Sequence, residues 1–201
     1  MKFSNPNSLP PQIRERITFR DLAQGERLFR RGDAARFFYV LVTGRIWLVR
    51  PTIENRRATL QFAQPGDILG ENALFEDAYP CSAIAQVPSR VIVCDRSCRI
   101  EIMEYPELVE DLLQKLTQKI DYYKNNLELR EIRAAHQRVL QYLKYIADPQ
   151  LKTIHLNYPL QDIARQLGFT PATLSRALSK LEAEGFITRQ SNVITLNDFV
   201  A

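Results

Sequence analysis

The sequence predicts an α+β chain: a β-roll (jelly-roll) in its first half, one long helix, and a small helical domain closed by a β-hairpin. Three observations lead there. Between Gly25 and Cys98, short β-rich runs are punctuated by five glycines. From Tyr105 to about Arg133 there is no glycine, and apolar residues recur in heptads. Further on, two short amphipathic helices flank a turn with Gly168 and Thr170-Pro171, and two strand-like runs follow Gly185.

Taken in order, "RFFYVLVTGRIWLVR" holds two β-rich runs with Thr43-Gly44 between them, which reads as a hairpin. "RRATLQFAQPGDIL" alternates and then turns at Pro65-Gly66-Asp67. "SAIAQV" and "RVIVCDR" add two strands around Pro88-Ser89. Many short strands at such spacing indicate a barrel or jelly roll. In the long helix Pro106 suits a first turn. Val109, Leu113, Leu116, Ile120, Tyr123 and Leu127 fall at alternating four- and three-residue steps, a heptad seam. Such a helix spans on the order of 40 Å. It either packs on the barrel or zips in parallel with a second copy of the chain, and the persistence of the seam favours the copy.

Val139, Leu140, Leu143 and Ile146 mark the next helix, which ends at Asp148-Pro149, and "LKTIHLNYP" suggests a short strand. Leu160, Ile163, Ala164 and Leu167 follow helical spacing. Gly168 suits the left-handed residue past that helix. Thr170 can cap the next helix, with Pro171 at its first position. "FITRQSNVITL" then reads as two strands around Gln190-Ser191-Asn192. The order helix, strand, helix–turn–helix, hairpin is a winged-helix plan of about 65 residues, within the size that folds alone.

Bulk properties bound the function. The 201 residues are 45% hydrophobic and 25% charged, ordinary for a globular protein. No apolar run is long enough to span a bilayer. The N-terminus has no apolar signal core, so a cytoplasmic protein is expected. Cys81, Cys94 and Cys98 are an odd number without a CxxC pair, and buried packing residues are the expectation. Net charge is +4, but residues 1–134 carry 20 basic and 18 acidic side chains and residues 135–201 carry 7 and 5. A nucleic-acid argument must rest on placement.

Placement supplies one. In the second helix of the helix–turn–helix, Leu174, Ala177, Leu178 and Leu181 form the buried stripe. Ala172, Arg176, Ser179 and Ala183 lie opposite, flanked by Thr173, Ser175 and Lys180. Small side chains allow close approach to a major groove, an arginine can grip guanine with two bonds, and hydroxyls suit phosphates. Arg176 is the expected base reader. Lys180 and Arg189, at the base of the wing, are expected phosphate contacts.

With these residues in place, the whole order resembles the CRP/FNR family of bacterial transcription regulators over nearly the full chain. "LGFTPATLSRALSKLEAEGFI" is similar to the family's recognition helix, and "PGDILGENALFEDAYPCSAIAQ" resembles its phosphate-binding cassette. The resemblance implies an effector-sensing β-roll (1–104), a dimerisation helix (105–134) and a winged helix–turn–helix (135–201). It implies a homodimer on double-stranded DNA with a near-palindromic site, with RNA polymerase as a further partner. Site residues are carried over by position: Thr170, Pro171, Ala172, Thr173, Ser175, Arg176, Ser179, Lys180 and Arg189 towards DNA. Gly70, Glu71, Asn72, Cys81, Ser82, Ala83, Tyr123 and Lys124 go towards an effector pocket.

The chain also departs from the family. Cyclic-AMP-binding members hold the ribose with a Glu and the cyclic phosphate with an Arg-Ser pair. Glu71 and Ser82 match, but Cys81 takes the place of the arginine, so cyclic AMP is not expected. Tyr123 and Lys124 fall where those members face the adenine with hydroxyls. Lys124 could replace the missing cation, which keeps a small-anion sensor open. An iron–sulfur cluster would need several N-terminal cysteines, and the first is Cys81. A haem ligand or a redox-active thiol would have to be Cys81. No cofactor is predicted. In the recognition helix Pro171 and Ala172 replace the Arg and Glu of members reading a TGTGA-type half-site, so the preferred bases should differ. Catalysis is not expected either: residues 1–135 lack histidine, and neither a P-loop nor a nucleophile–base pattern appears.

Overall fold

The computed structural model describes residues 8–53, 57–156 and 159–197, with residue 57 described by its backbone alone. Contacts divide the chain into two compact units, Met1–Gln118 and Lys119–Ala201. The boundary falls inside the long helix.

Eight strands build the first unit: β1 (Ile17–Leu22), β2 (Arg27–Phe29), β3 (Phe37–Thr43), β4 (Ile46–Pro51), β5 (Arg57–Ala63), β6 (Ile68–Leu69), β7 (Ser82–Ala85) and β8 (Ser89–Asp95). They form two four-stranded sheets, β1-β8-β3-β6 and β2-β7-β4-β5. This is the strand order of a double-sheet jelly roll. It corrects one expectation. Thr43-Gly44 does not close a hairpin, because β3 and β4 lie in different sheets. The glycine turns a corner and hands the chain from one sheet to the other. The Pro65-Gly66-Asp67 and Pro88-Ser89 turns do the same. β4 and β5 are the consecutive strands that pair directly, through Ile46↔Ala63 to Pro51↔Arg57.

Two apolar clusters fill the roll. Leu22, Leu28, Phe29, Tyr39, Leu41, Leu48 and Leu69 belong to one. The other joins Phe38, Val40, Ile92, Cys94 and Cys98 to Ile102, Leu108 and Leu112. Leu9 and Ile13, the latter on the short helix α1 (Pro11–Arg14), plug this second cluster; neither stood out from the sequence. The helix α2 (Cys98–Met103) leads into the long helix α3 (Pro106–Glu131).

The heptad reading of α3 is refined. Its first turns pack on the roll through Leu108 and Leu112, residues off the seam. Val109 and Leu116 are partly covered by the same cluster, whereas Leu113, Ile120 and Leu127 are 57%, 52% and 63% exposed. Tyr123 is also exposed. The helix therefore uses one face on its own roll and leaves most of its seam bare.

The second unit continues with α4 (Ala135–Ile146), β9 (Thr153–His155), α5 (Leu160–Gln166), α6 (Pro171–Ala183), β10 (Ile187–Gln190) and β11 (Val193–Leu196). Residues 157 and 158 of the predicted strand region lie outside those described. The three strands form one sheet, β10-β11-β9. Leu129, Val139, Tyr142, Leu143, Ile163, Leu174, Leu178, Leu181 and Ile194 are among the residues of its single core. Each fully buried Leu or Ile contributes about 1.5–3 kcal/mol relative to exposure. Among the described residues no helix is long and apolar enough to cross a membrane.

Candidate nucleic-acid interface and the interior of the roll

The helix–turn–helix is built as its spacing requires. Gly168 sits at φ +72° after α5. The Thr170 hydroxyl accepts the Thr173 N–H at 3.2 Å, and Pro171 opens α6. Leu174, Ala177, Leu178 and Leu181 are all buried, which turns the opposite face of α6 outward. Pro171, Ala172, Ser175, Arg176, Ser179 and Lys180 are exposed there. Thr173 is half-buried, its hydroxyl 2.9 Å from that of Thr170.

Charge on this face is unevenly available. Arg176 makes a long contact from its Nε to the Ala172 carbonyl at 3.4 Å, and among the described residues it has no ion pair. Lys180 lies 3.7 Å from Glu184, an exposed i,i+4 pair that holds it weakly. Arg189 is different. Its Nε and Nη2 donate to the Glu182 carboxylate at 2.9 and 2.5 Å, its backbone N–H reaches the same carboxylate at 3.2 Å, and Nη2 lies 3.4 Å from the Ser179 hydroxyl. These hydrogen bonds hold the Glu182 carboxyl below its usual range. Arg189 thus fastens the wing to α6 through this ion pair, in which both side chains stay partly exposed. Nothing in spacing alone shows that Glu182 meets it across the turn from α6 to β10.

A second arginine escaped sequence reasoning altogether. Arg138 on α4 donates from Nε to the Ile132 carbonyl at 2.9 Å and from Nη1 to the Leu167 carbonyl at 3.1 Å. Its guanidinium also lies 4.8 Å over the Phe169 ring. It thus ties the chain after α3 to the end of α5 and the turn that launches α6.

In the roll, Gly70 is buried at φ +66° and opens a 3-10 turn over Glu71–Leu74. Glu71 and Asn72 are half-buried. Cys81 and Ala83 are buried in the roll core. Ser82 is half-buried, and its hydroxyl accepts the Arg31 N–H at 2.9 Å. An aromatic stack lines the interior beside Gly70. Phe29 and Tyr79 have ring centroids 4.1 Å apart, and Phe29 and Tyr39 5.7 Å apart. The Tyr79 hydroxyl donates to the Phe37 carbonyl at 2.5 Å. Burial, then the Tyr79 hydroxyl, pushes the Tyr39 phenol up, which keeps that ring neutral. A methyl on Gly70 would lie 3.0 Å from the Tyr79 ring and 3.4 Å from the Phe29 ring. Tyr123 and Lys124 belong to the other unit. Both are exposed, with Lys124 3.7 Å from Asp121.

All three cysteines are free and buried. Burial, with the neighbouring Cys98 as a smaller cause, raises the Cys94 thiol far above its ordinary value. Burial likewise raises that of Cys98. Among the described residues no group of three metal-binding side chains forms.

Comparison with known proteins agrees with this geometry. Residues 19–105 match the cyclic nucleotide-binding domain and residues 137–201 the Crp-like helix-turn-helix domain. The chain is 28% identical over 184 residues to the transcriptional regulator LdrP of Thermus thermophilus, covering 89% of this chain and 92% of that protein. It is 24% identical over 187 residues to a CRP-like cAMP-activated global transcriptional regulator of Mycobacterium tuberculosis, covering 89% and 83%. Its fold matches the solved structure of FixK2 from Bradyrhizobium japonicum with a TM-score of 0.71 at 23% identity, over 90% and 93% of the two chains. With both family domains in order, and relatives of this kind along nearly its whole length, the chain belongs to the CRP/FNR family of helix–turn–helix transcription regulators.

Proposed function

We propose that this protein is a homodimeric, sequence-specific DNA-binding regulator whose roll does not hold cyclic AMP. The observation that supports DNA reading is α6 itself. Its apolar stripe is fully used in the core, and its outer face offers small side chains around Arg176, which has no ion pair among the described residues. Arg176 donates to a guanine, while Ser175, Ser179 and Lys180 meet phosphates. Replacing Arg176 with alanine is expected to cost about 1–3 kcal/mol of specific binding and to relax one base pair per half-site. Selection of bound sequences from a random pool checks this, and an unchanged motif refutes base readout. The polymerase is the expected protein partner on such a promoter.

The exposed seam supports the homodimer. Leu113, Ile120 and Leu127 present apolar surface on one side of α3, and Met103 and Pro106 line a groove with Val109 and Leu113 at its start. Parallel pairing through this stripe would set two recognition helices into successive major grooves, about 34 Å apart on a near-palindromic site. Ile120→Glu combined with Leu127→Glu should leave helical content intact, since both side chains are exposed. It should give a monomer in sedimentation and lose at least 100-fold in DNA affinity. A wild-type chain that is monomeric both in solution and on DNA sinks this reading.

Two features support the absence of cyclic AMP. Cys81 leaves the cassette without its cation, and Phe29, Tyr39 and Tyr79 pack the interior beside Gly70 and Cys81. A buried phosphate would lose a charge-assisted bond and keep its desolvation cost. Calorimetry with cyclic AMP is expected to show little or no heat; a micromolar titration overturns the reading. Burial of Cys81 also weighs against a thiol that senses oxidants or ligates haem.

A further inference from the structure

Among the described residues no Lys or Arg is buried in the roll, yet its outer wall gathers three arginines. On the sheet β2-β7-β4-β5, Val49 pairs with Ser82 and Arg27 with Ile84. Ala83, Ala85 and Leu48 point into the core, so Ser82, Ile84 and Val49 face outward by strand alternation. There they line a groove of about 270 Å³ with Pro51, Arg27, Arg30 and Arg31. All three arginines are exposed, and among the described residues none of their guanidinium groups pairs with a carboxylate. The acids that flank them in sequence, Glu26 and Asp33, are engaged in other bonds. Asp33 accepts the Arg30 backbone N–H at 2.9 Å, and Glu26 holds Arg20 at 2.9 Å and the Ala23 N–H at 3.0 Å.

Three like charges around one concavity repel each other, and an anion placed between them relieves that repulsion. A solvated basic face has no need of a floor. This one is lined by Val49, 5% exposed, by Ile84 and Pro51, and by Ser82 together with the three arginines. Guanidinium forks fit phosphate oxygens, and an apolar floor suits the organic part of an ester.

We infer that this groove binds a phosphate group, carried by a small phosphate monoester, on the outside of the roll. Arg27, Arg30 and Arg31 hold the phosphate oxygens, and Val49, Ile84 and Pro51 take the apolar portion. The site lies on the outer face of the sheet; Ser82 and Ile84 of the cassette line it, whereas Cys81 and Ala83 point into the core.

The full chain is titrated calorimetrically with phenyl phosphate and, separately, with inorganic phosphate, alongside an Arg27→Gln/Arg31→Gln double variant. Circular dichroism verifies that this variant, changed at two exposed positions, keeps its fold. Saturable binding that weakens at least tenfold in the variant is the expected result. Tighter binding of phenyl phosphate identifies an organic monoester, and equal binding identifies inorganic phosphate; either upholds a phosphate site. Absence of saturable binding, or binding unchanged in the variant, overturns it. So does a wild-type chain that ignores both phosphates while the variant loses DNA affinity, because the arginines would then meet the DNA backbone.

Discussion

Replacing Gly44 with alanine is expected to destabilise the roll by about 4 kcal/mol. Two effects add. The glycine sits at φ +93°, where a β-carbon costs about 1–2 kcal/mol. That β-carbon would also fall 2.6 Å from both Cα and Cβ of Ser89, so backbone must move, for about 1–3 kcal/mol more. Ser89 cannot give way easily. It is 4% exposed, its hydroxyl accepts the Arg45 N–H at 3.1 Å, and the same hydroxyl donates to the Val87 carbonyl at 2.7 Å. Here two sheet-crossing connections, β3 to β4 and β7 to β8, lie against each other. The chain has a single tryptophan, Trp47 on β4, so urea unfolding followed by its fluorescence reports on the roll. Gly32→Ala is the control: its φ is +86°, but nothing lies within 4 Å of the added carbon, so about 1 kcal/mol is expected. Equal losses in the two variants would show that the corner is not tightly packed.

The same corner shows what the sequence can and cannot convey. Strand positions between Phe37 and Asp95 were legible because β-branched and aromatic runs end at turn residues. Which sheet each strand joins was not. Thr43-Gly44 looks alike whether it folds a strand back on its neighbour or carries it across the roll, and the pairing of β3 and β4 in different sheets distinguishes these. β1 was missed because an edge strand with Thr18, Phe19, Arg20 and Asp21 exposed has no alternation to detect. The helix–turn–helix was read well, since its signals are local: Gly168, the Thr170 cap, Pro171 and a stripe at helical spacing. The ion pair of Arg189 was hidden for the opposite reason. Its partner Glu182 lies across a turn and on another element, so its charge looked available when it is engaged. The three arginines of the outer groove are close in sequence, but their floor comes from β4 and β7.

Arg138→Ala is expected to lower the stability of the second unit by about 3 kcal/mol, although the residue touches no candidate DNA contact. The guanidinium holds carbonyls at Ile132 and Leu167, with a longer contact to Arg130 at 3.5 Å. Leu167 closes α5, where helix carbonyls have no partner of their own and a cation is favoured. Hydrogen bonds from a charged donor are each worth about 1.5–3 kcal/mol, and stacking over Phe169 adds about 0.5–1 kcal/mol. Truncation returns part of this through water at the half-exposed site, hence about 3 kcal/mol rather than the full sum. Lysine at this position keeps the charge but cannot reach carbonyls on both sides with one ammonium, so Arg138→Lys should recover less than half of the loss. The far-ultraviolet circular dichroism transition should move to lower temperature while the unfolding seen by Trp47 stays in place, since the tryptophan lies in the other unit. DNA binding distinguishes this residue from the reader. Loosening the Leu167–Phe169 turn misplaces all of α6, so affinity should fall for every sequence alike, whereas Arg176→Ala relaxes a single base pair. An Arg138→Ala chain that melts like the wild type, or one that changes base preference without losing affinity, would mean that α6 is positioned by its leucines alone.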